Sequence, residues 1–357
     1  MNTKKLLLLT AVCAPVLLAA ALPGSKVKFA PTEGSSVTKT FENKAEFSLD
    51  HMSSSINGQE NPAMPSMTMN FTTNQKIVVT DEYAANRDGA PKKLKRRFDD
   101  IGSDVTMSMK IEVMGESHDQ DKTSKSKSQL AGKTVLFTWD GDAKDYKKAF
   151  DPASENADLL KGLKEDMDLR ALLPENEVKE GDEWDVNVKS LASVLGPGGD
   201  LSLVPEDKDT NGMDMGMSGG MGSMSEMLGE MLEGDAKAKF TGMRDVGGAK
   251  MAVIKLTMKI ASSKDMTDIV KEAMKKQKLP AEMEMKFDHM DIDLKIDGEG
   301  ELVWDMAAGH AHSFEMSGPV HVNMDMSMKI KPPGQGDMSV EQRMELSGTT
   351  NLSAKFE

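Results

Sequence analysis

The sequence predicts a mainly β protein of α+β type: a large curved antiparallel sheet, or two β lobes, with two or three helices covering an apolar concave face. Three observations predict it. Apolar and polar residues alternate with a period of two over long stretches, the pattern of strands buried on one face only. The alternation slips at points that read as bulges or glycine bends, and strands of that length must curve. Helical spacing is confined to three short windows.

The chain begins Met1-Asn2-Thr3-Lys4-Lys5, continues through an apolar run from Leu6 to Leu18 and reaches Ala19-Ala20-Ala21. A basic start, an apolar run and small residues form a secretory signal peptide, cleaved near Ala21. The run falls short of the ~20 residues of a spanning helix, and no later segment is apolar enough to cross. The mature chain is therefore expected in the periplasm or outside the cell, with no stable transmembrane span. The only cysteine, Cys13, lies in the apolar run, with Thr10 and Val12 where a lipidated cysteine wants a leucine-like and a small residue. Cleavage leaves no thiol and no disulfide.

Residues 22–195 read as an N-terminal β-rich lobe with one helix. "MTMNF" places Met67, Met69 and Phe71 on one face, and "VTMSMKIEV" does the same with Val105, Met107, Met109, Ile111 and Val113. The basic run "KKLKRR", Lys92 to Arg97, alternates through Leu94 into Phe98 and suits a solvated strand face. "NADLLKGLKEDM" predicts a helix with Leu159, Leu160, Leu163 and Met167 on one stripe and Asn156 as N-cap. In "LLPENEVKEGDEWDV" an extended proline segment leads to a Gly181-Asp182 turn, and Trp184 starts a strand where its ring closes one end of the core.

Residues 196–222 are rich in glycine and methionine and read as a flexible linker. Residues 223–357 read as a C-terminal β-rich lobe with two helices. In "SEMLGEMLEG", Met224, Met227, Leu228, Met231 and Leu232 fall at helical spacing, as do Met266, Ile269, Val270, Ala273 and Met274 in "KDMTDIVKEAMKK". Met283, Met285 and Phe287 start a strand whose parity flips at Asp288-His289, a β-bulge, before Met290, Ile292, Leu294 and Ile296 continue it; Gly298 and Gly300 let it bend again. "HSFEMSGPVHVNMDMSMKI" holds His312, Phe314, Met316, Val320, Val322, Met324, Met326, Met328 and Ile330 in one parity. Met344, Leu346, Leu352 and Phe356 mark the last strand.

Function classes narrow from composition and motifs. Net charge is −14, and aromatic residues make up 4% of the chain, a poor match to nucleic-acid phosphates. "GMSGG" matches the nucleophile-elbow pattern at Ser218, yet no buried strand precedes it to hold a strained serine. His310 and His312 share a strand face, but the six histidines form no His-Glu-x-x-His motif and lack further zinc ligands. No catalytic constellation emerges. Asp207, Asp209 and Asn211, with Gly212 sixth, make half a calcium loop, though Ser218 stands where a bidentate glutamate belongs. Met213, Met215, Met217, Met221 and Met224 offer soft thioethers that suit Cu(I). With 31 methionines spread through the chain, general use of methionine as an adaptable core residue accounts for them together. The expectation is therefore no cofactor, with a copper-binding protein as the alternative function.

Leu173-Pro174, a spacer and then Gly181-Asp182-x-Trp184, with the later glycine-marked hairpin "DGEGELVWDMAAGHAHSFEM", resemble a motif of uncharacterised exported bacterial proteins. Those proteins look like open half-barrels that carry lipids or lipoproteins across the periplasm. The resemblance covers about a third of the chain and implies no catalytic residue. Independently, Met107, Met109, Met283, Met285, Met324, Met326 and Met328 are candidates to line an apolar concavity, because methionine's flexible thioether adapts to varied acyl shapes. The expected function is non-catalytic binding of a lipid, lipoprotein or other apolar ligand, or a structural role in the cell envelope, and the expected partner is an apolar ligand or an envelope protein.

Overall fold

The computed structural model describes residues 24–60, 66–113, 116–153, 156–206, 231–276, 284–331 and 338–357. Its strands are β1 (Ser36–Ile56), β2 (Gln59–Glu60), β3 (Ser66–Arg87), β4 (Ala90–Val113), β5 (Glu116–Ser128), β6 (Thr134–Asp140) and β7 (Asp145–Phe150). They continue with β8 (Glu183–Asp185), β9 (Leu203–Pro205), β10 (Gly234–Val246), β11 (Ala249–Asp265), β12 (Glu284–Asp305), β13 (His310–Lys331) and β14 (Met338–Phe356). All belong to one 14-stranded sheet in the order β7-β6-β4-β3-β1-β14-β13-β12-β11-β10-β8, with β5 and then β9 beside the C-terminal half of β4 and β2 beside the end of β1. Because β1 pairs with β14 over most of its length, the N- and C-terminal parts share one sheet rather than forming two β lobes. The ladders are antiparallel, and no described pairing joins the β6/β5 side to the β8/β10 side, so the sheet curls without closing.

Strand parity in the sequence is what the sheet uses. β3 turns Ile77, Val79 and Tyr83 inward, and β4 answers with Leu94 and Phe98, then Ile101. The inward set of β4 changes from even to odd numbers between Phe98 and Asp100, where the register slips by one residue. The slip expected at Asp288 is present between Phe287 and His289. A second lies at the other end of the ladder, where Trp304 pairs with Ala311 and Val303 with Ser313. Ala311, not His312, therefore continues the buried row with Phe314, and the expected shared face of His310 and His312 is broken by this bulge.

One end of the concave face is filled by chain with little regular structure. Residues 156–201 insert Leu159, Leu163, Met167, Leu172, Leu191 and Val194 against Phe41, Phe98, Phe137, Trp304, Phe314 and Phe356 of the sheet. This corrects two expectations. The predicted helix from Asn156 is a single 3-10 turn, Ala157–Leu160, without a side-chain cap. Gly162 stops it at φ +71°, and its carbonyl accepts from Asp200 N while Leu163 bridges to Gly199. A tertiary partner thus outbids local helical spacing. Residues 196–206, expected to be linker, are built into the body: Leu201 is buried and β9 pairs with β5. Replacing Gly162 by Ala should cost about 1–2 kcal/mol, because the left-handed backbone disfavours a Cβ and that atom would lie 2.9 Å from Asp200 Cβ. Urea unfolding with an unchanged slope checks it.

The Gly181-Asp182 turn and the strand at Trp184 form as expected. Gly181 has φ +95°, its N–H donates to the Phe240 carbonyl, and Trp184 on β8 donates from Nε1 to the Leu172 carbonyl at 3.2 Å. The helix expected near Thr267 is also present, Thr267–Lys276, packed along β12. Met266 before it is buried and Val270 half-buried, but Ile269 remains 36% exposed, so the stripe is narrower than its spacing implies. Of the helix expected over Ser225 to Gly234, the described part shows Met231 and Leu232 buried; the remainder lies outside the described residues.

Candidate functional site: the concave chamber

Above the filled end, the curled sheet lines an open chamber of about 1190 Å³. Eight neighbouring strands, from β5 through β4, β3, β1, β14, β13 and β12 to β11, line it at one level. Cross-strand register fixes which side chains meet there. Ser126 lies next to Ser103, then Gln75, Asn43, Leu352, Met316, Gly300 and Leu256. One wall is thus neutral and polar, the other apolar. Charged residues such as Glu42, Lys44, Lys76 and Lys125 border the chamber only through the opposite parity, and all four are exposed. Ser103 is 4% exposed, and its Oγ has no hydrogen-bond partner.

Gly300 lets β12 and β13 approach closely at this level. A Cβ on Gly300 would sit 2.8 Å from the Glu315 carbonyl oxygen and 3.1 Å from Met316 Cβ, so any larger residue would push the neighbouring strand away. Farther along the strands the inward rows become mostly apolar. Met107, Phe71, Phe47, Gly348, Val320 and Ile296 form one row, which the half-buried Lys122 of β5 continues beside Met107, and Leu49, Leu346, Val322 and Leu294 form the next. Many of these stay half-buried, including Met107, Phe71, Phe47, Leu346 and Val322, so the groove is not filled to core density by the described residues.

The expected methionine lining is placed in part. Met107, Met324, Met326 and Met328 lie on inward rows and are half-buried, while Met109 is 9% exposed. They were expected to pack beneath helices; the helix Thr267–Lys276 docks along β12 instead and leaves Met107 on the distant β4. Met283 lies outside the described residues, as does the Met285 side chain. Met67, Met69, Met52 and Met344 occupy the same rows, and their strand parity alone would have added them. The copper candidates Met213, Met215, Met217, Met221 and Met224 and the calcium candidates Asp207, Asp209 and Asn211 lie outside the described residues. Among the described residues, no group of three or more His, Cys, Asp or Glu is placed to hold a metal ion.

Below the chamber floor lies a buried ion network that sequence reasoning missed. Arg96, expected on a solvated strand face, is 0% exposed. Alternation through Leu94 and Phe98 turns it inward, where Asp81 faces it across the β3–β4 ladder. Arg96 donates to Asp81 from Nε at 2.7 Å and Nη2 at 2.8 Å, and Lys39 Nζ donates to Asp81 Oδ2 at 2.6 Å. Both cations also hold the irregular segment: Lys39 donates to the Met167 carbonyl at 2.7 Å, and Arg96 to those of Glu165 at 3.0 Å and Lys164 at 3.2 Å. Arg170 grips Glu165 with two 2.8 Å bonds and also binds Asp168.

Charge balance makes this burial tolerable. Burial alone would raise the Asp81 carboxyl, but Arg96 and Lys39 override it and hold it below the usual carboxylate range. Burial pulls Lys39 down against the attraction of Asp81, and pushes Glu165 up against Arg170. Tyr83, buried beside Asp81, is raised well above the usual phenol. The cations are spent on carboxylates and main-chain carbonyls. The network therefore reads as a clamp for residues 164–170, which form the chamber's underlying support, rather than as a reactive centre.

No family model matches the chain, and no curated protein matches it. Among solved structures, it is similar to an outer membrane channel from Pseudomonas putida F1 at 10% identity and a TM-score of 0.21, over 94% of this chain and 100% of that one. It is similar to Pseudomonas aeruginosa OccK7 (OpdD) at 6% identity and a TM-score of 0.15, over 90% of this chain and 98% of that one. At such TM-scores neither similarity carries an inference about fold or function.

Proposed function

We propose that the chain is an exported, non-catalytic envelope protein whose chamber binds an elongated apolar ligand, a lipid or the lipid part of a lipoprotein. The carrying observation is the chamber of about 1190 Å³ continued by rows of half-buried Met, Phe, Val and Leu. Its volume lies above the ~300–1,000 Å³ common for small-molecule pockets, which favours an acyl chain over a compact metabolite. Half-exposed apolar surface of this extent is costly unless something covers it. The basic, apolar and small-residue start of the chain supports export.

Titration with two fluorescent acyl probes, a fatty acid and the monoacylglycerol of the same chain, tests the reading. Saturable uptake of at least one is expected, with displacement by unlabelled lipid. Absence of saturable uptake for both would reduce the protein to a structural role.

A further inference from the structure

Resting on that reading, we infer that the chamber takes its ligand polar end first and selects a neutral acyl ester or acylglycerol over an ionised head. Two observations carry this. First, the inward row at chamber level from Ser126 across to Leu256 contains no charged side chain. The nearest cations beneath it, Lys39 and Arg96, are held by Asp81 and by the carbonyls of residues 164, 165 and 167. At the Ser103 level a carboxylate or phosphate would lose its water and meet no counter-charge, because the inward lysine of β5, Lys122, lies two inward rows away beside Met107.

Second, Ser103 holds a hydroxyl without a partner in the wall that also carries Ser126, Gln75 and Asn43; its Oγ is shielded from solvent, and a turn about the side-chain bond brings it to a ligand oxygen. An unpartnered hydroxyl inside a fold carries a desolvation cost, which a carbonyl or hydroxyl of a ligand would relieve. The opposite wall of Leu352, Met316 and Leu256 suits the first carbons beyond an ester. Acyl carbons then run along the Met107–Phe71–Phe47 row towards Met324. Acyl chain and neutral oxygen group thus each meet the surface that complements them.

The same two probes test the inference on the full exported chain. At pH 8 the monoacylglycerol should bind at least about 10-fold more tightly than the carboxylate, since only the ion is penalised on entering. Ser103→Ala should weaken monoacylglycerol binding by about 3- to 10-fold, the worth of one hydrogen bond. It should leave unliganded stability unchanged or higher, because an unpaired hydroxyl is removed. Equal affinity for the two probes, preference for the carboxylate, or an unchanged monoacylglycerol affinity in Ser103→Ala would overturn the neutral-head assignment while leaving apolar binding intact. Loss of uptake for both probes would instead overturn the binding reading itself.

Discussion

Asp81→Asn is expected to lower the unfolding free energy by about 3–5 kcal/mol, the usual cost of removing one partner from a buried ion pair. Two buried cations, Arg96 and Lys39, would then face a neutral amide where both now contact one carboxylate. An exposed pair provides the control. Lys44 and Glu46 lie 2.6 Å apart but are each 51% exposed, so Glu46→Gln should cost under about 1 kcal/mol. The pH dependence has a definite sign. Because the folded Asp81 carboxyl lies below its ordinary value, its contribution is fully present above the unfolded value of about 3.9 and is lost as pH falls through the folded one. The stability gap between wild type and Asp81→Asn, read from urea unfolding, should therefore hold from neutral pH down to about 4 and begin to narrow between there and about pH 3, by about 1.4 kcal/mol per pH unit at most. A constant gap across that range would show that Asp81 is not the ionised hub.

Swapping the whole trio for apolar residues, often harmless in a buried ion cluster, should not be harmless here. The carbonyls of Lys164, Glu165 and Met167 accept from Arg96 and Lys39, and apolar replacements would leave those acceptors without their donors. The network is therefore coupled to the placement of an irregular segment, not merely to itself.

Much of this architecture was legible because a sheet with one buried face writes its parity into the sequence. The long β13 and the bulge at Asp288 follow from counting alone. Arg96 was misread for a reason of the same kind. Val37-Lys39-Phe41, Val79-Asp81-Tyr83 and Leu94-Arg96-Phe98 each put one charge in the middle of an inward apolar pair. Taken singly, each looks like a flaw in a solvated strand; together they announce a buried network, since inward charges are tolerated only with partners. Phe41-Asn43-Ala45 and Ile101-Ser103-Val105 mark the chamber wall in the same way. The region 156–201 was not legible, because Gly162 and Leu163 answer to Gly199 and Asp200 rather than to the helical spacing of their neighbours. The choice between one sheet and two lobes depended on β1 meeting β14, a pairing between the two ends of the chain that no local pattern encodes.

The other large effect expected is loss of ligand uptake in Gln75→Trp. Gln75 is half-buried on the inward row between Asn43 and Ser103 and lines the chamber. An indole there would project into the space assigned to the ligand's polar end, while strand backbone accepts aromatic residues readily. Uptake of the monoacylglycerol probe should fall more than about 10-fold, since an occupied pocket removes ligand contacts worth over about 1.4 kcal/mol. Stability should change by about 1 kcal/mol or less, because the ring enters open space instead of packed core. Lys76→Trp is the matched control: one residue along the same strand, with an exposed side chain of opposite parity. It adds the same ring to the convex face and should leave uptake unchanged. If both variants bound the probe like wild type, the ligand would lie elsewhere; if both lost it equally, the loss would come from the strand and not from the chamber. Only a difference between positions 75 and 76 is consistent with uptake through the concave face.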